Sequence, residues 1–115
     1  MNGAQWLVET LRRRGVGMVF ALCGNGLKPF LDACIDQQMQ VIDVRNEQSA
    51  AYMADTWGRL TKRIGVVAVS AGPGHTNALT GLANAFWDGG PMLLISGCAS
   101  IQTRGMGHFQ ELDQV

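Results

Sequence analysis

Two rhythms of apolar residues alternate along this chain. Short aliphatic runs at Met18 to Leu22, Gln40 to Val44, Ile64 to Val69 and Met92 to Ser96 predict strands. Between them, apolar residues three and four apart predict helices. The stripes are Ala4, Leu7, Val8 and Leu11; then Leu27, Phe30, Leu31, Cys34 and Ile35; then Ala50, Met53, Ala54 and Trp57; then Leu79, Leu82, Ala83 and Phe86. Asn2 with Gln5 three residues later predicts a capping box, and Asn46 predicts a cap for the third helix. Arg12, Arg13 and Arg14 before Gly15 predict a helix end, where cations meet the negative end of the dipole and glycine closes the turn.

Strands that are continuously apolar, rather than alternating, are buried on both faces, as happens when helices cover both sides of a parallel sheet. The expected fold class is therefore α/β, a doubly wound and mostly parallel sheet flanked by helices. Ligands of such sheets sit outside the carboxyl ends of the strands, where loops gather and helix N-termini point free N–H groups. The unusual residues of the chain fall there. Gly24, Asn25 and Gly26 follow the first strand, Asn46 and Glu47 the second, Pro73, Gly74 and His75 the third, and Gly97 with the tail beyond it the fourth.

Composition narrows the picture. A length of 115 residues, 47% of them apolar, suits one domain with one core. Nine basic against nine acidic residues leave no footprint of a nucleic-acid or acidic-membrane binder. No run approaches the roughly 20 apolar residues of a membrane span, and no secretory signal pattern opens the chain, so a soluble cytoplasmic protein is expected. Cys23, Cys34 and Cys98 are widely spaced and odd in number, which predicts reduced thiols rather than a disulfide framework or a zinc site. No metal ligand set is expected within the chain.

Among candidate chemical residues Glu47 stands out, because it shares a helix face with Ala50 and Ala54. An acidic first-turn residue can simply complement the helix dipole. A carboxyl among small apolar groups can also stay protonated and donate to a ring nitrogen. Gly24-Asn25-Gly26 fails as a dinucleotide fingerprint, since Pro29 occupies the third glycine position, and Gly72 to Asn77 lacks the lysine ending of a phosphate loop. His75 and His108 have no metal or nucleophile partner at a diagnostic spacing. Ala78, Gly81 and Ala85 form a stripe of small residues suited to close packing, within the chain or between subunits.

Several segments together carry a resemblance. Arg45 to Asp55, Gly65 to Val67, Ala71 to Asn77 and Gly81 to Ala85, with Gly105-Met106-Gly107-His108-Phe109-Gln110-Glu111 in the tail, resemble in order and spacing the N-terminal pyrimidine-binding domain of acetolactate synthase-like thiamine diphosphate enzymes. The resemblance implies the thiamine diphosphate-binding fold across residues 1–115, incomplete at its end, with the diphosphate-binding domain absent. It implies that Glu47 hydrogen-bonds the aminopyrimidine of the cofactor and activates it, and that Gln110 is a second catalytic residue. It further implies that Pro73, Gly74, Asn77, Gly24 and Asn25 border the cofactor, and that Phe109 and His75 face the substrate.

The expected activity is that of a lyase or carboligase acting on 2-oxo acids, realised when a partner domain or subunit supplies the diphosphate and Mg2+ site. A homodimer or higher oligomer is expected, and the family leaves room for FAD, for which no residue here argues. Cys23-Gly24-Asn25 departs from the Pro-Gly-Gly common in acetolactate synthases, and His75 stands where alanine is common, which leaves the substrate open. The alternatives are a non-catalytic dimerisation or interaction module retaining the fold, and a nucleotide-binding Rossmann-like domain, against which the failed fingerprint counts.

Overall fold

The computed structural model describes residues 1–114. In chain order its elements are α1 (Gly3–Arg13), β1 (Met18–Ala21), α2 (Lys28–Asp36), β2 (Gln40–Asp43), α3 (Glu47–Thr61), β3 (Gly65–Val69), α4 (Pro73–Asp88) and β4 (Met92–Ser96). The capping box forms as expected: the Gln5 N–H donates to Asn2 Oδ1, and the Asn2 N–H to Gln5 Oε1, each at 2.9 Å. The arginine run ends α1 in a paired-bond turn. The Gly15 N–H donates to the Arg12 carbonyl at 2.9 Å and the Val16 N–H to the Leu11 carbonyl at 3.0 Å.

All strand pairs are parallel, in the order β2-β1-β3-β4. From β1 the chain steps outward to β2, then crosses back over β1 to β3 and continues to β4. Right-handed crossovers in opposite directions must lie on opposite faces. α2 therefore shares one face with α1, and α3 and α4 cover the other. The side-chain period of two sorts each strand between these layers. Val19, Ala21, Val66 and Ala68 pack with Val8, Leu11, Phe30 and Cys34. Phe20, Val67 and Val69 pack with Ala50, Ala51, Ala54 and Ala78. Each fully buried valine contributes about 1.5 kcal/mol or more relative to exposure. Leu22, Val44 and Ile64 fall just outside the strands. Leu22 and Val44 nevertheless extend the ladder by one bond each, to the Ala68 and Ala21 carbonyls at 3.2 and 3.1 Å.

The doubly wound parallel sheet expected from the sequence is what forms, but two helices bury a different face. On α3 the inward residues are Ala50, Ala51, Ala54, Asp55 and Gly58, while Met53 and Trp57 are exposed. On α4 they are Gly74, Ala78, Gly81 and Ala85, while Leu79, Ala83 and Phe86 are exposed, Phe86 by 79%, and Leu82 is half-buried. The cause is the nearness of the two helices. A β-carbon added at Gly81 would overlap that of Ala51 and stand 3.0 Å from the Ala51 carbonyl carbon, so only small residues fit the seam. The Ala78, Gly81 and Ala85 stripe is thus intramolecular packing against α3.

Further along the seam, Asp55 is buried at 3% exposure and fully engaged. Arg59 Nε and Nη2 donate to its two oxygens at 2.7 and 2.9 Å, Asn84 Nδ2 donates at 2.8 Å, and Arg59 Nη1 reaches Asp88 at 3.0 Å. The Arg59 hydrogen bonds, with the Asn84 amide, hold the Asp55 carboxyl below the usual carboxylate range against the opposing effect of burial. A folded-state value below the unfolded one means the network stabilises fully above the unfolded value and fails as pH falls through the folded one. Asp55→Asn is expected to lower the denaturant midpoint at neutral pH and to flatten its decline in acid, as followed by urea titrations at several pH values.

Candidate functional site

The loops after β1 and β3 diverge to opposite faces between adjacent strands, the topological switch point at which doubly wound sheets form crevices. Glu47 opens α3 beside this point. Asn46 caps the helix, its Oδ1 accepting from the Gln48 N–H at 2.8 Å, which leaves the next residue in the first turn on the rim of the sheet. Glu47 is half-buried, and its Oε2 accepts a hydrogen bond from Asn77 Nδ2 of α4 at 3.0 Å. Among the described residues this is its one side-chain hydrogen bond. Oε1 faces Gly74, where an added β-carbon would stand 3.3 Å away. The residues expected to act around Glu47 thus meet at one place: Glu47, Asn77 and Gly74, with Pro73 exposed at the start of the same helix.

Beneath them lies Ser70, which the sequence did not single out. It is 7% exposed, and β-carbons added at Gly24 or Gly74 would collide with it, the former 2.5 Å from its own β-carbon. Gly24 and Gly74 are needed here because two loops and a helix start close around one hydroxyl-bearing side chain. A small polar residue directly after the four aliphatic residues Val66 to Val69 was the available signal.

Asn25, Phe109 and Gln110 form a second group. Asn25 Nδ2 donates to the Phe109 carbonyl at 2.9 Å and the Asn25 carbonyl accepts from the Ala71 N–H at 3.1 Å, so this side chain ties the tail to the rim. The Phe109 ring is exposed. Gln110, at φ 60°, runs its backbone against Gly72, whose φ is 63° and whose added β-carbon would stand 2.6 Å from the Gln110 carbonyl oxygen. The tail is thereby laid across the start of α4.

Two tail residues that hold this arrangement were legible only as part of a motif or not at all. Gln114 Oε1 accepts from the Gly72 N–H at 2.8 Å while its Nε2 donates to Ser96 Oγ at 2.8 Å and to the Gly97 carbonyl at 3.0 Å, joining the ends of β3 and β4. The Glu111 carboxylate accepts from the Gly105, Gly107 and His108 N–H groups, the last two at 3.0 Å. The Gly105 bond, then those of His108 and Gly107, hold its carboxyl below the usual range. The loop is consequently held above that range and released as pH falls through the lowered value. Glu111→Gln is expected to speed amide exchange at Gly105, Gly107 and His108 while leaving β1 and β3 protected.

His75 occupies a separate environment. It lines a cavity of about 530 Å³ with Leu94, Ser96, Cys98, Arg104 and Gln114, and neither Glu47 nor Asn77 contributes to that lining. Its Nδ1 is buried without a hydrogen-bond partner among the described residues. The cysteines are unpaired; Cys34 is buried, which pushes its thiol up to about 11, and Cys23 and Cys98 are exposed. Among the described residues no three His, Cys, Asp or Glu side chains cluster as metal ligands.

The geometry is that of a doubly wound α/β domain presenting a carboxyl-amide pair beside glycines at the carboxyl edge of its sheet. The chain belongs to the family described as thiamine pyrophosphate enzyme, N-terminal TPP binding domain, which matches residues 1–115. It is 40% identical over 114 residues to 2-hydroxyacyl-CoA lyase 2 of Danio rerio, covering 99% of this chain and 18% of that protein. It is 42% identical over 113 residues to the acetolactate synthase isozyme 2 large subunit of Escherichia coli (strain K12), covering 98% of this chain and 21% of that protein. Identity to the Homo sapiens 2-hydroxyacyl-CoA lyase 2 is 39% over 114 residues, with 99% and 18% covered. The chain therefore spans about a fifth of the length of these curated relatives.

The site suits the pyrimidine end of the cofactor that names the family. A flat ring nitrogen needs a carboxyl oxygen not already engaged by the protein and room beside it. Oε1 of Glu47 supplies the first, and the missing side chain at Gly74 the second.

Proposed function

We propose that this chain forms the pyrimidine side of a thiamine diphosphate site in an acetolactate synthase-like lyase or carboligase acting on 2-oxo acids, with Glu47 as the activating carboxyl. The observation that carries this reading is the half-buried Glu47 at the switch point, with one oxygen fixed by Asn77 and the other facing Gly74. The cofactor, when bound, supplies stabilisation of carbanion character at a carbonyl carbon.

Glu47 holds or gives up a proton at Oε1, where the ring nitrogen would lie. Gly74 lets the ring approach, and Pro73 and Gly24 shape the rim. The Phe109–Gln110 stretch, anchored through Asn25 and Gly72, lies over the start of α4 on the side assigned to substrate, where Gln110 is the second candidate catalytic group. His75 contributes to the neighbouring cavity. The diphosphate and Mg2+ belong to a partner domain or subunit. Phe86 and Trp87, largely exposed on α4, support an assembled protein, for which a dimer or higher oligomer is the reading.

Calorimetric titration of thiamine diphosphate with Mg2+ tests this, into the chain alone and into the chain joined to a diphosphate-binding domain. Binding and 2-oxo acid turnover only in the joined form are expected. No binding in either form would replace this reading with a non-catalytic interaction module. Similarity to the lyases favours a second substrate class, 2-hydroxyacyl-CoA thioesters. Assaying pyruvate and a 2-hydroxyacyl-CoA side by side decides between them.

A further inference from the structure

We infer that Asn77 is the positioning residue of Glu47: its amide makes Oε2 the accepting oxygen and leaves Oε1 as the one oxygen through which a proton is held or passed. The inference deepens the proposed function and rests on it for its role, while the bond itself stands on geometry.

The periodicity of the two helices sets which residues meet. Both start at the carboxyl edge of the sheet, and residues one turn apart face each other across the seam. Glu47 meets Asn77, Ala51 meets Gly81, Asp55 meets Asn84, and Arg59 meets Asp88. Twice, therefore, an asparagine of α4 donates its Nδ2 to a carboxylate of α3, at 3.0 Å to Glu47 and 2.8 Å to Asp55. The lower rung is buried and forked by Arg59, and the Ala51–Gly81 rung allows no slack. Asn77 is thus delivered to Glu47 by a rigid register.

The chemical consequence follows from the donor inventory. An amide nitrogen donates and does not accept. A carboxylic acid offers a carbonyl oxygen, the better acceptor, and a hydroxyl, the donor. With Nδ2 at Oε2, the carbonyl character of the acid form lies at Oε2 and its O–H at Oε1, beside Gly74. Asn77 therefore orients the exchangeable proton and touches no reacting atom.

The first test needs no cofactor. In the 115-residue chain, the Asn77 side-chain amide protons should resonate apart from those of an unbonded asparagine and exchange slowly with water, and both properties should be lost in Glu47→Ala. An Asn77 amide indistinguishable from an unbonded one in the native chain overturns the inference.

The second test uses the chain joined to a diphosphate-binding domain. Asn77→Asp keeps the shape, replaces the donor with a carboxylate oxygen and sets a like charge beside Glu47. It should lower kcat about a hundredfold, the scale of a misplaced catalytic group, while the KM for thiamine diphosphate moves far less. Asn77→Ala should behave alike, with circular dichroism showing whether each variant keeps its helices. Turnover lost in Glu47→Gln and retained in Asn77→Asp overturns the positioning role and leaves the proposed function standing. Turnover retained in Glu47→Gln overturns the proposed function and the positioning role with it, even where the amide bond is seen by resonance.

Discussion

Replacing Glu47 by glutamine is expected to reduce thiamine diphosphate-dependent turnover of the completed enzyme by about 10²- to 10⁴-fold, the range lost with a positioned acid-base group. Glutamine matches the side chain in shape, and its carbonyl can still accept the Asn77 amide that Oε2 accepts now. What disappears is a proton that can leave and return on the Gly74 side. The thermal midpoint and the state of assembly should be nearly unchanged, because Glu47 is half-buried and forms no part of the buried clusters. Single-turnover kinetics together with sedimentation distinguish the outcomes. Loss of turnover with assembly intact supports the catalytic reading, and unchanged turnover refutes it.

Gly65→Ala is expected to be the most damaging small substitution in the fold. Its β-carbon would overlap the Ala54 carbonyl oxygen and stand 2.6 Å from the Ala54 carbonyl carbon. These are helix backbone atoms and cannot rotate away, so α3 must lift from the sheet. Overpacking against a rigid neighbour costs about 3 kcal/mol at the upper end of its usual range, enough to shift a urea midpoint visibly. Because α3 carries Glu47, cofactor-dependent activity should fall even where the variant folds. Gly3→Ala is the control: nothing lies within 4 Å of the added carbon, and the helical position should tolerate it or gain slightly. Equal effects of the two substitutions would show that the close approach of α3 to β3 is not what Gly65 provides.

The order of elements, the parallel sheet and the gathering of special residues at one edge were all legible in the hydropathy pattern, because each depends on which segments are apolar and in what period. The inward faces of α3 and α4 were not. Pattern reading favours large apolar side chains, and Met53, Trp57, Leu79 and Phe86 outweigh alanine and glycine in any such reading. A seam between two closely packed helices selects the opposite, the residues with least bulk.

The position of Glu47 was readable, since a carboxyl beside Ala50 and Ala54 is conspicuous. Its partner was not, because the Asn77 bond spans 30 residues and depends on the register of two helices. Ser70 and Gln114, and what Glu111 does within its motif, were hidden for a related reason. Their roles lie in backbone groups and loop crossings, which leave no periodic mark. Family resemblance supplied the cofactor, which the residues read one by one had left as one option among several.

The two layers of the sheet also differ in how they should respond to inherited change. The α1 and α2 layer is filled with branched and aromatic side chains such as Val8, Leu11, Phe30 and Leu27, whose volumes can be exchanged among neighbours. The α3 and α4 layer is built from backbone proximity, with Ala51, Ala54, Ala78 and Gly81 already near the smallest side chains available. Drift can therefore proceed by compensating pairs in one layer, whereas in the other a single added methylene has no smaller neighbour to trade against. The half of the domain that holds Glu47 and Asn77 is the half with the fewest acceptable spellings.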